Sequence, residues 1–457
     1  MSSPSSSLPA AEIVSLGCRL NIAESETIRA LVGHRDMVVV NSCAVTNEAV
    51  RSTRQAIRRA KRARPGAEIV VTGCAAQIDP ASFAAMPEVA RVVGNAEKLD
   101  PAVWAANDRM AVSDIMAVRE TAPHLAHAFT GHARAFVEVQ NGCDHRCTFC
   151  AIPYGRGNSR SVPAGAVIDH IAAVVAQGHS EVVLTGVDLT SYGHDLPGKP
   201  DLGALVERIL RHIPAIQRLR LSSLDSIEID DRLFALLTQE PRVMPHVHLS
   251  LQAGDDMILK RMKRRHSRAE AVALVERLKT ARPEIAIGAD IIAGFPTETP
   301  EMFANSLSLI ADCDIVHAHI FPFSPRTGTP AARMPQVAPP EVKARAATLR
   351  ARAAEHRAAW LRSLIGTEQD VLVERPGDRG HAGNFAEVRL TETHPVGSVI
   401  RTTITRLEGT TLTARSTHTR AKAGAQLGGA RDLPQSPPTG PRPSPGYGAT
   451  FNEKIPA

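Results

Sequence analysis

Short apolar runs separated by helix-length stretches limit this chain to parallel α/β architectures. Ile13–Leu16, Met37–Val40, Ile69–Thr72 and Val92-Val93 form a first set. Ala135–Val139, Glu181–Thr185, Arg218–Ser222, His246–Leu251, Ile285–Ile291 and Ile315–Phe321 form a second. Helical stretches fall between them, among them Ala166–Gln177, Leu202–His212, Asp255–Thr280 and Glu301–Ala311. This rhythm suits a parallel sheet covered by helices. The first set predicts a Rossmann-like α/β domain over residues 12–115. The second holds six β/α units without a closing pair, and predicts a partial (β/α)6 barrel over residues 129–362. A long Ala- and Arg-rich helix, Glu341–Arg362, then leads to four short strands: Gln369–Glu374, Phe385–Leu390, Val399–Thr405 and Thr411–Arg415. They predict a small all-β module over 363–420. Residues 421–457 are rich in Pro, Gly and Ser and read as a disordered tail.

No run of 18 apolar residues occurs, so no membrane-spanning helix is expected. The opening MSSPSSSLPAAE lacks the basic start and apolar stretch of a secretory signal, and a cytoplasmic location is expected. The net charge of +6 over 457 residues permits a polyanionic partner without demanding one. Seven cysteines, an odd number in a large chain, argue against a disulfide framework and for metal binding, iron–sulfur binding or catalysis.

Six of the seven cysteines occupy chemically meaningful positions. Cys18, Cys43 and Cys74 each follow the carboxyl end of a strand in the first set. In open α/β sheets that edge binds ligands. Cys143, Cys147 and Cys150 form a CxxxCxxC loop just past the first barrel strand. Three thiolates on a four-iron cluster leave one iron without a protein ligand, open to a substrate or cosubstrate. A zinc site, which prefers CxxC pairs and four protein ligands, is the alternative. Cys313 has no such context and reads as a core residue. Polar residues recur just after the barrel strands: Gly186 and Asp188, Ser222, Ser223 and Asp225, Gln252, and Asp290 with Gly294. Barrel enzymes place their chemistry at that face.

The CDHRCTFC loop resembles that of the radical S-adenosylmethionine (SAM) superfamily, and the partial barrel agrees with that resemblance. SLGCRLNIAESE, NSCAVTNEA and VTGCAAQ are similar to the amino-terminal domain of the methylthiotransferases. LTGVDLTSYG, HVHLSLQAGDDMILKRMKR, ADIIAGFPTETPEMF and HIFPFSPRTGTPAA carry the similarity through the barrel. Two departures stand out: Thr297 where the family usually has Gly, and Phe323 where it usually has Tyr. GHAGNFAEVRL and the closing strands resemble the RNA-binding TRAM domain, a small OB-like barrel, although basic and acidic residues balance over 363–420.

The resemblance implies two 4Fe-4S clusters, one on Cys143, Cys147 and Cys150 and an auxiliary one on Cys18, Cys43 and Cys74, with SAM as cosubstrate. It implies cofactor contacts from Phe149, mainly through its backbone, and from Gly186, Asp188, Ser223, Gln252 and Asp290. No catalytic side chain beyond the cluster ligands is implied. One SAM methylates sulfur at the auxiliary cluster; a second is cleaved to a radical that activates C2 of an adenosine. A reductant such as flavodoxin or ferredoxin is the implied partner. The GCRLN and CAVT stretches look most like the branch acting on N6-threonylcarbamoyladenosine at position 37, in the tRNA anticodon loop, where a base can be splayed out. Branches acting on isopentenyladenosine in tRNA or on a ribosomal-protein aspartate are the alternatives. A non-catalytic iron–sulfur or zinc-binding protein is the alternative of another class.

Charge runs favour RNA. Arg51–Arg64 holds seven basic residues and no acid, with Arg54, Arg58 and Arg62 on one helical face as the candidate RNA contacts. Lys260–Arg268 and Lys343–Arg362 hold six each. The competing reading of such runs is a solvated helix face.

Overall fold

The computed structural model describes residues 10–33, 35–119 and 133–419, with side chains as far as residue 415. Its first sheet contains β1 (Glu12–Ser15), β2 (Met37–Ser42), β3 (Glu68–Gly73), β4 (Arg91–Val93) and β5 (Met110–Ala111), all parallel and in that spatial order. α1 (Arg19–Val32), α2 (Asn47–Ala63), α3 (Cys74–Ile78), α4 (Pro80–Ala84) and α5 (Pro101–Ala105) connect them. β2 and β3 are buried along almost their whole length because both faces are covered. Val39, Val70 and Val93 pack with Ile28 and Trp104 on one face; Val38, Val71 and Val92 pack with Ile57 and Phe83 on the other. The Rossmann-like expectation thus agrees in layering but not in strand order, because 1-2-3-4-5 has no reversal.

The second body is the partial barrel. β6 (Arg134–Glu138), β9 (Glu181–Thr185) and β10 (Arg218–Leu221) form one parallel group. β11 (Ser223–Leu224), β12 (His246–Gln252), β13 (Ala286–Ala293) and β14 (Ile315–Pro322) form the other. The short pair β7 (Gln140–Asn141) and β8 (Arg160–Ser161) lies between β6 and β9 in sequence. α6 (Ile152–Arg156), α7 (Ala164–Ala176), α8 (Leu202–His212), α9 (Asp231–Gln239), α10 (Asp256–Met262), α11 (Arg268–Ala281) and α12 (Pro300–Asp312) complete the units. Two details differ from expectation. α9 has no counterpart in the sequence-predicted elements, although it carries an Asp230 N-cap. The predicted helix Asp255–Thr280 is two helices: Lys263 turns left-handed at φ 59°, and Ser267 opens α11 with a capping box to Glu270. Cys313 is buried in the barrel core, as expected.

α13 (Pro339–Ser363) packs along β14 and leads to a closed barrel of β15 (Glu368–Glu374), β16 (Arg379–Ala382), β17 (Glu387–Leu390), β18 (Val399–Glu408) and β19 (Thr411–Thr419). The expected start of the central domain at Phe129 and the expected tail at 421–457 lie outside the described residues.

The amino-terminal ends of the central strands carry charge rather than hydrocarbon. Glu181 is fully buried, accepts from Arg134 at 2.9 Å and Arg220 at 3.2 Å, and is ion-paired with Arg218 at 2.9 Å. Burial alone would raise its pKa; the three guanidiniums, Arg220 first, overcome that and hold it far below the carboxylate range. The β-module closes this floor. Phe385 stacks on His381 and lies under Arg220, with ring-to-guanidinium distance 4.8 Å. Arg220 also donates to the Gly383 carbonyl, and Arg134 to Glu374 at 2.6 Å. Glu181→Gln leaves three buried cations without their common counter-ion, and we expect it to cost about 3–5 kcal/mol. Urea denaturation followed by far-ultraviolet circular dichroism reads this as a lower midpoint; an unchanged midpoint contradicts it.

Candidate active site

The CxxxCxxC loop is pinched at its base and pinned at its middle. β7 and β8 pair antiparallel on either side of it, and the Cys143 N–H donates to the Gly157 carbonyl at 3.1 Å. Thr148 donates its N–H to Met262 and its hydroxyl to Arg261, at 3.1 and 2.8 Å, and accepts from the Ala331 N–H at 2.9 Å. The Phe149 side chain anchors the loop from below, edge-on to Phe295 at 6.4 Å. Phe323 meets the same Phe295 ring at 5.5 Å, so the Phe in place of Tyr sits in an apolar cluster. All three thiols are half-buried. Burial pushes Cys150 up to about 12, and burial plus the Asp188 carboxylate push Cys143 up as well. Three enclosed thiols at this spacing, with Cys143 and Cys150 resisting ionisation alone, suit a thiophilic metal centre rather than acid–base work.

The strand ends around this loop supply polar groups. Gln140 is a missed organiser. Its Oε1 accepts from the Val187 and Asp188 N–H groups, and its Nε2 donates to the Gly142 carbonyl at 2.8 Å. Gly186 is pressed so closely on Gln140 that a methyl group there would lie 2.9 Å from Oε1. Asp188 accepts from His145 at 3.0 Å, from Ser191 at 2.8 Å and from the Cys143 thiol at 3.6 Å. Burial would raise its pKa, but the hydrogen bond from His145 leads the groups that bring it below the ordinary value. Ser223 is half-buried on β11. Beside it, Ser222 Oγ, Asp225 Oδ1, Ser226 Oγ and Glu228 Oε2 are buried with no hydrogen-bond partner in the protein. Such orphaned atoms beside a cysteine loop fit a polar ligand with the hydrogen-bonding character of SAM. Gln252 ends β12 at φ 68°, an uncommon conformation for a non-glycine residue. Asp290 Oδ1 lies 3.0 Å from His248 Nε2 and 3.2 Å from His319 Nδ1. These three could bridge a divalent cation, but both distances are equally those of imidazole N–H groups donating to a carboxylate.

The second cysteine set converges on one corner of the first sheet. Cys18 is the N-cap of α1, Cys43 follows β2, and Cys74 opens α3. Gly17 leaves room for Cys43: a methyl group at Gly17 would sit 3.1 Å from the Cys43 Sγ. Burial raises Cys43 to about 11, and neighbouring Cys74 and Cys18 push the same way. Cys18 keeps an open edge to solvent, yet its thiol is also raised by burial and by Cys74. This donor set again fits a cluster.

The two sets meet. Gly155 of α6, just after the radical-type loop, packs on Cys74: a methyl group there would lie 3.1 Å from the Cys74 Cβ. Asn95 donates to both the Cys74 Sγ, at 3.7 Å, and the Gly155 carbonyl. Next in the chain, Arg156 is 2% exposed and forks onto Glu24 at 2.8 and 3.0 Å; Lys98, fully buried, reaches Glu24 at 2.6 Å. Sequence reasoning missed Asn21, Glu24, Asn95, Lys98 and Arg156. Each is a single charged or amide residue on no periodic pattern, and nothing local marks it as buried.

The basic runs divide. Arg264 lies 3.8 Å from the Cys147 Sγ and donates to Asp225 at 3.0 Å. Arg265 binds Asp225, Glu228 and His145, while Arg268 binds carbonyls and Asp312. The run at 260–268 thus includes clamps on the loop rather than an open RNA stripe. Along α13, Arg345, Arg350 and Arg357 likewise bind inward. On α2, Arg54 donates to Ser82 at 3.0 Å and lies over Phe83, so it is not free for RNA. Arg58 is exposed beside Glu88 at 3.9 Å, and Arg62 is exposed. Arg51 and Arg59 are exposed too.

Comparison with known proteins places this geometry. Residues 137–310 match the radical SAM superfamily, and residues 10–94 match the uncharacterized protein family UPF0004. The threonylcarbamoyladenosine tRNA methylthiotransferase MtaB of Rickettsia prowazekii is 48% identical over 401 residues, covering 87% of this chain and 95% of that protein. The MtaB proteins of Chlamydia pneumoniae and Bacillus subtilis are 34% and 36% identical, covering 82% and 70% of this chain and 90% and 74% of theirs. The chain belongs to the MtaB family. That membership brings radical SAM chemistry, with SAM and iron–sulfur clusters as cofactors. Among the described residues, no helix is long and apolar enough to cross a membrane.

Within the MtaB frame, one departure has a measurable cost. Thr297, where the family resemblance leads one to expect Gly, holds φ at 67°. A β-branched residue is strained there by about 1–2 kcal/mol, partly offset by the entropy glycine loses on folding. Thr297→Gly is therefore expected to stabilise by about 0.5–1 kcal/mol, read as a thermal midpoint higher by roughly 1–3 °C. A lower midpoint contradicts the strain assignment.

Proposed function

We propose that this chain converts N6-threonylcarbamoyladenosine at position 37 of tRNA to its 2-methylthio derivative. The observation that carries this reading is the meeting of two three-cysteine sets, with Gly155 of one packed on Cys74 of the other. One set serves SAM cleavage and the other holds the sulfur to be transferred, so the chemistry needs them adjacent. When bound, SAM and two 4Fe-4S clusters supply radical and sulfur-transfer steps that no side chain performs.

The chain's own residues hold and orient. Cys143, Cys147 and Cys150 ligate the radical cluster; Cys18, Cys43 and Cys74 ligate the auxiliary one. Phe149 and Thr148 fix the loop. Gly186, Asp188, Ser223, Gln252 and Asp290 line the SAM side, with Asp290 held ionised by two imidazoles. The anticodon loop enters at the carboxyl ends of the barrel strands. Arg51, Arg58, Arg59 and Arg62 meet its phosphates, and the carboxy-terminal barrel serves as a TRAM module. Arg54 supports the helix through Phe83 instead. A flavodoxin- or ferredoxin-type reductant and a cytoplasmic setting complete the reading.

After anaerobic reconstitution the chain should hold about eight irons with matching sulfide; fewer than about seven, or zinc without sulfide, rejects two clusters. Cys147→Ala should abolish 5′-deoxyadenosine production, and retained production rejects the loop assignment. Nucleoside mass spectrometry of tRNA from cells lacking the gene tests the substrate. Loss of the 2-methylthio form of threonylcarbamoyladenosine is expected where no second enzyme makes it, and persistence there rejects the reading.

A further inference from the structure

A continuous chain of polar contacts runs from one auxiliary cysteine to another. The Cys18 thiol donates to Asn21 Oδ1 at 3.7 Å, and that oxygen accepts from Arg156 Nη2 at 2.7 Å. Arg156 forks onto Glu24, and Glu24 accepts from Lys98. Lys98 donates to Asn95 Oδ1 at 2.7 Å, and Asn95 Nδ2 donates to the Cys74 Sγ at 3.7 Å. Asn21, Glu24, Lys98 and Arg156 are each at most 2% exposed. Arg156 alone comes from the barrel side, and it also donates to Asn141 at the base of the radical loop at 3.2 Å.

Burial pulls the Lys98 ammonium below its ordinary pKa while Glu24, first among its neighbours, supports the charged form. With Lys98 protonated, two cations and one anion leave a net positive charge buried where solvent cannot screen it, an arrangement that is costly without a compensating anion. The neighbouring thiolates supply one. An oxidised four-iron core carries two positive charges against three thiolates, so the centre has one net negative charge before any further ligand binds. Cluster potentials respond to local charge and hydrogen bonding. Glu138 lies in the same network through Asn141, at 2.8 Å; burial first and Glu24 second raise it to about 7, and a lower pH favours its neutral form further.

We propose that Arg156, Lys98 and Glu24 are positioning residues of the auxiliary centre: they hold it against the radical loop and set its reduction potential through one buried net positive charge. This rests on the reading of Cys18, Cys43 and Cys74 as cluster ligands.

The test uses the full chain carrying Cys143→Ala, Cys147→Ala and Cys150→Ala, so that the auxiliary centre is the sole cluster. Its midpoint potential is measured by electron paramagnetic resonance titration at about pH 6. Lys98→Met removes a cation and should lower the potential. Glu24→Gln removes the anion and should raise it. The double variant restores the net charge and should return the potential toward that of the unaltered background. Opposite shifts separate electrostatics from structural damage, which would move both variants the same way. If Glu24→Gln alone fails to take up iron, Lys98→Met against the double variant carries the comparison. Iron near zero in the triple-alanine background overturns the ligand reading itself. A loaded centre whose potential does not move, or moves in one direction in both single variants, overturns the tuning role alone.

Discussion

A parallel barrel of six units cannot close, and the covering of its two free edges dictates how the rest of the chain is arranged. β6 and β14 are those edges, each with a row of backbone groups facing away from its one strand partner. α1 of the first domain packs against β6, and α13 packs along β14. The start of α2 completes the closure: Asn47 donates to the Pro325 carbonyl at 3.0 Å and accepts from Arg326, in the segment after β14. The first domain is therefore a wall of the barrel as well as a carrier of cysteines.

The same constraint explains the β-module's placement. A floor built on Glu181 and three arginines cannot be left as an apolar plug, nor left open without loss of its low dielectric. Phe385 resolves this with one residue. Its ring face offers a partner to Arg220 and a stacking surface to His381, while the backbone beside it accepts from Arg220 and His317. A domain whose own charge is balanced thus has a structural role independent of any RNA contact.

Much of this was legible in the sequence because it depends on periodicity. Every predicted strand of the barrel appears, and the strand Glu181–Thr185 and the helix Leu202–His212 have the predicted bounds, because buried parallel strands and amphipathic helices leave runs long enough to read. The cysteines were legible because three thiols at short spacing have few other uses. What escaped reading depends on tertiary pairing. Arg264 and Arg268 look like members of a surface stripe until Asp225, Cys147 and Asp312 appear beside them. Arg54 looks equivalent to Arg58 and Arg62 at helical spacing, but α4 brings Ser82 and Phe83 to the first alone. Glu24 and Lys98 are 74 residues apart and acquire meaning only through Arg156, a further 58 residues along.

Both cysteine sets sit at carboxyl edges of parallel strands, and that shared rule accounts for their meeting. A parallel sheet places its loops, small residues and exposed backbone N–H groups at that edge. When the first sheet is turned to cover the β6 side of the barrel, its ligand edge comes against the ligand edge of the barrel. Only a close contact then remains to be solved, and glycine at 155 solves it, because any larger residue would press on Cys74. Arg156 follows immediately, so the residue that allows the approach and the residue that ties it electrostatically are neighbours in the chain. One short helix after the radical loop thereby joins the two centres sterically and by charge.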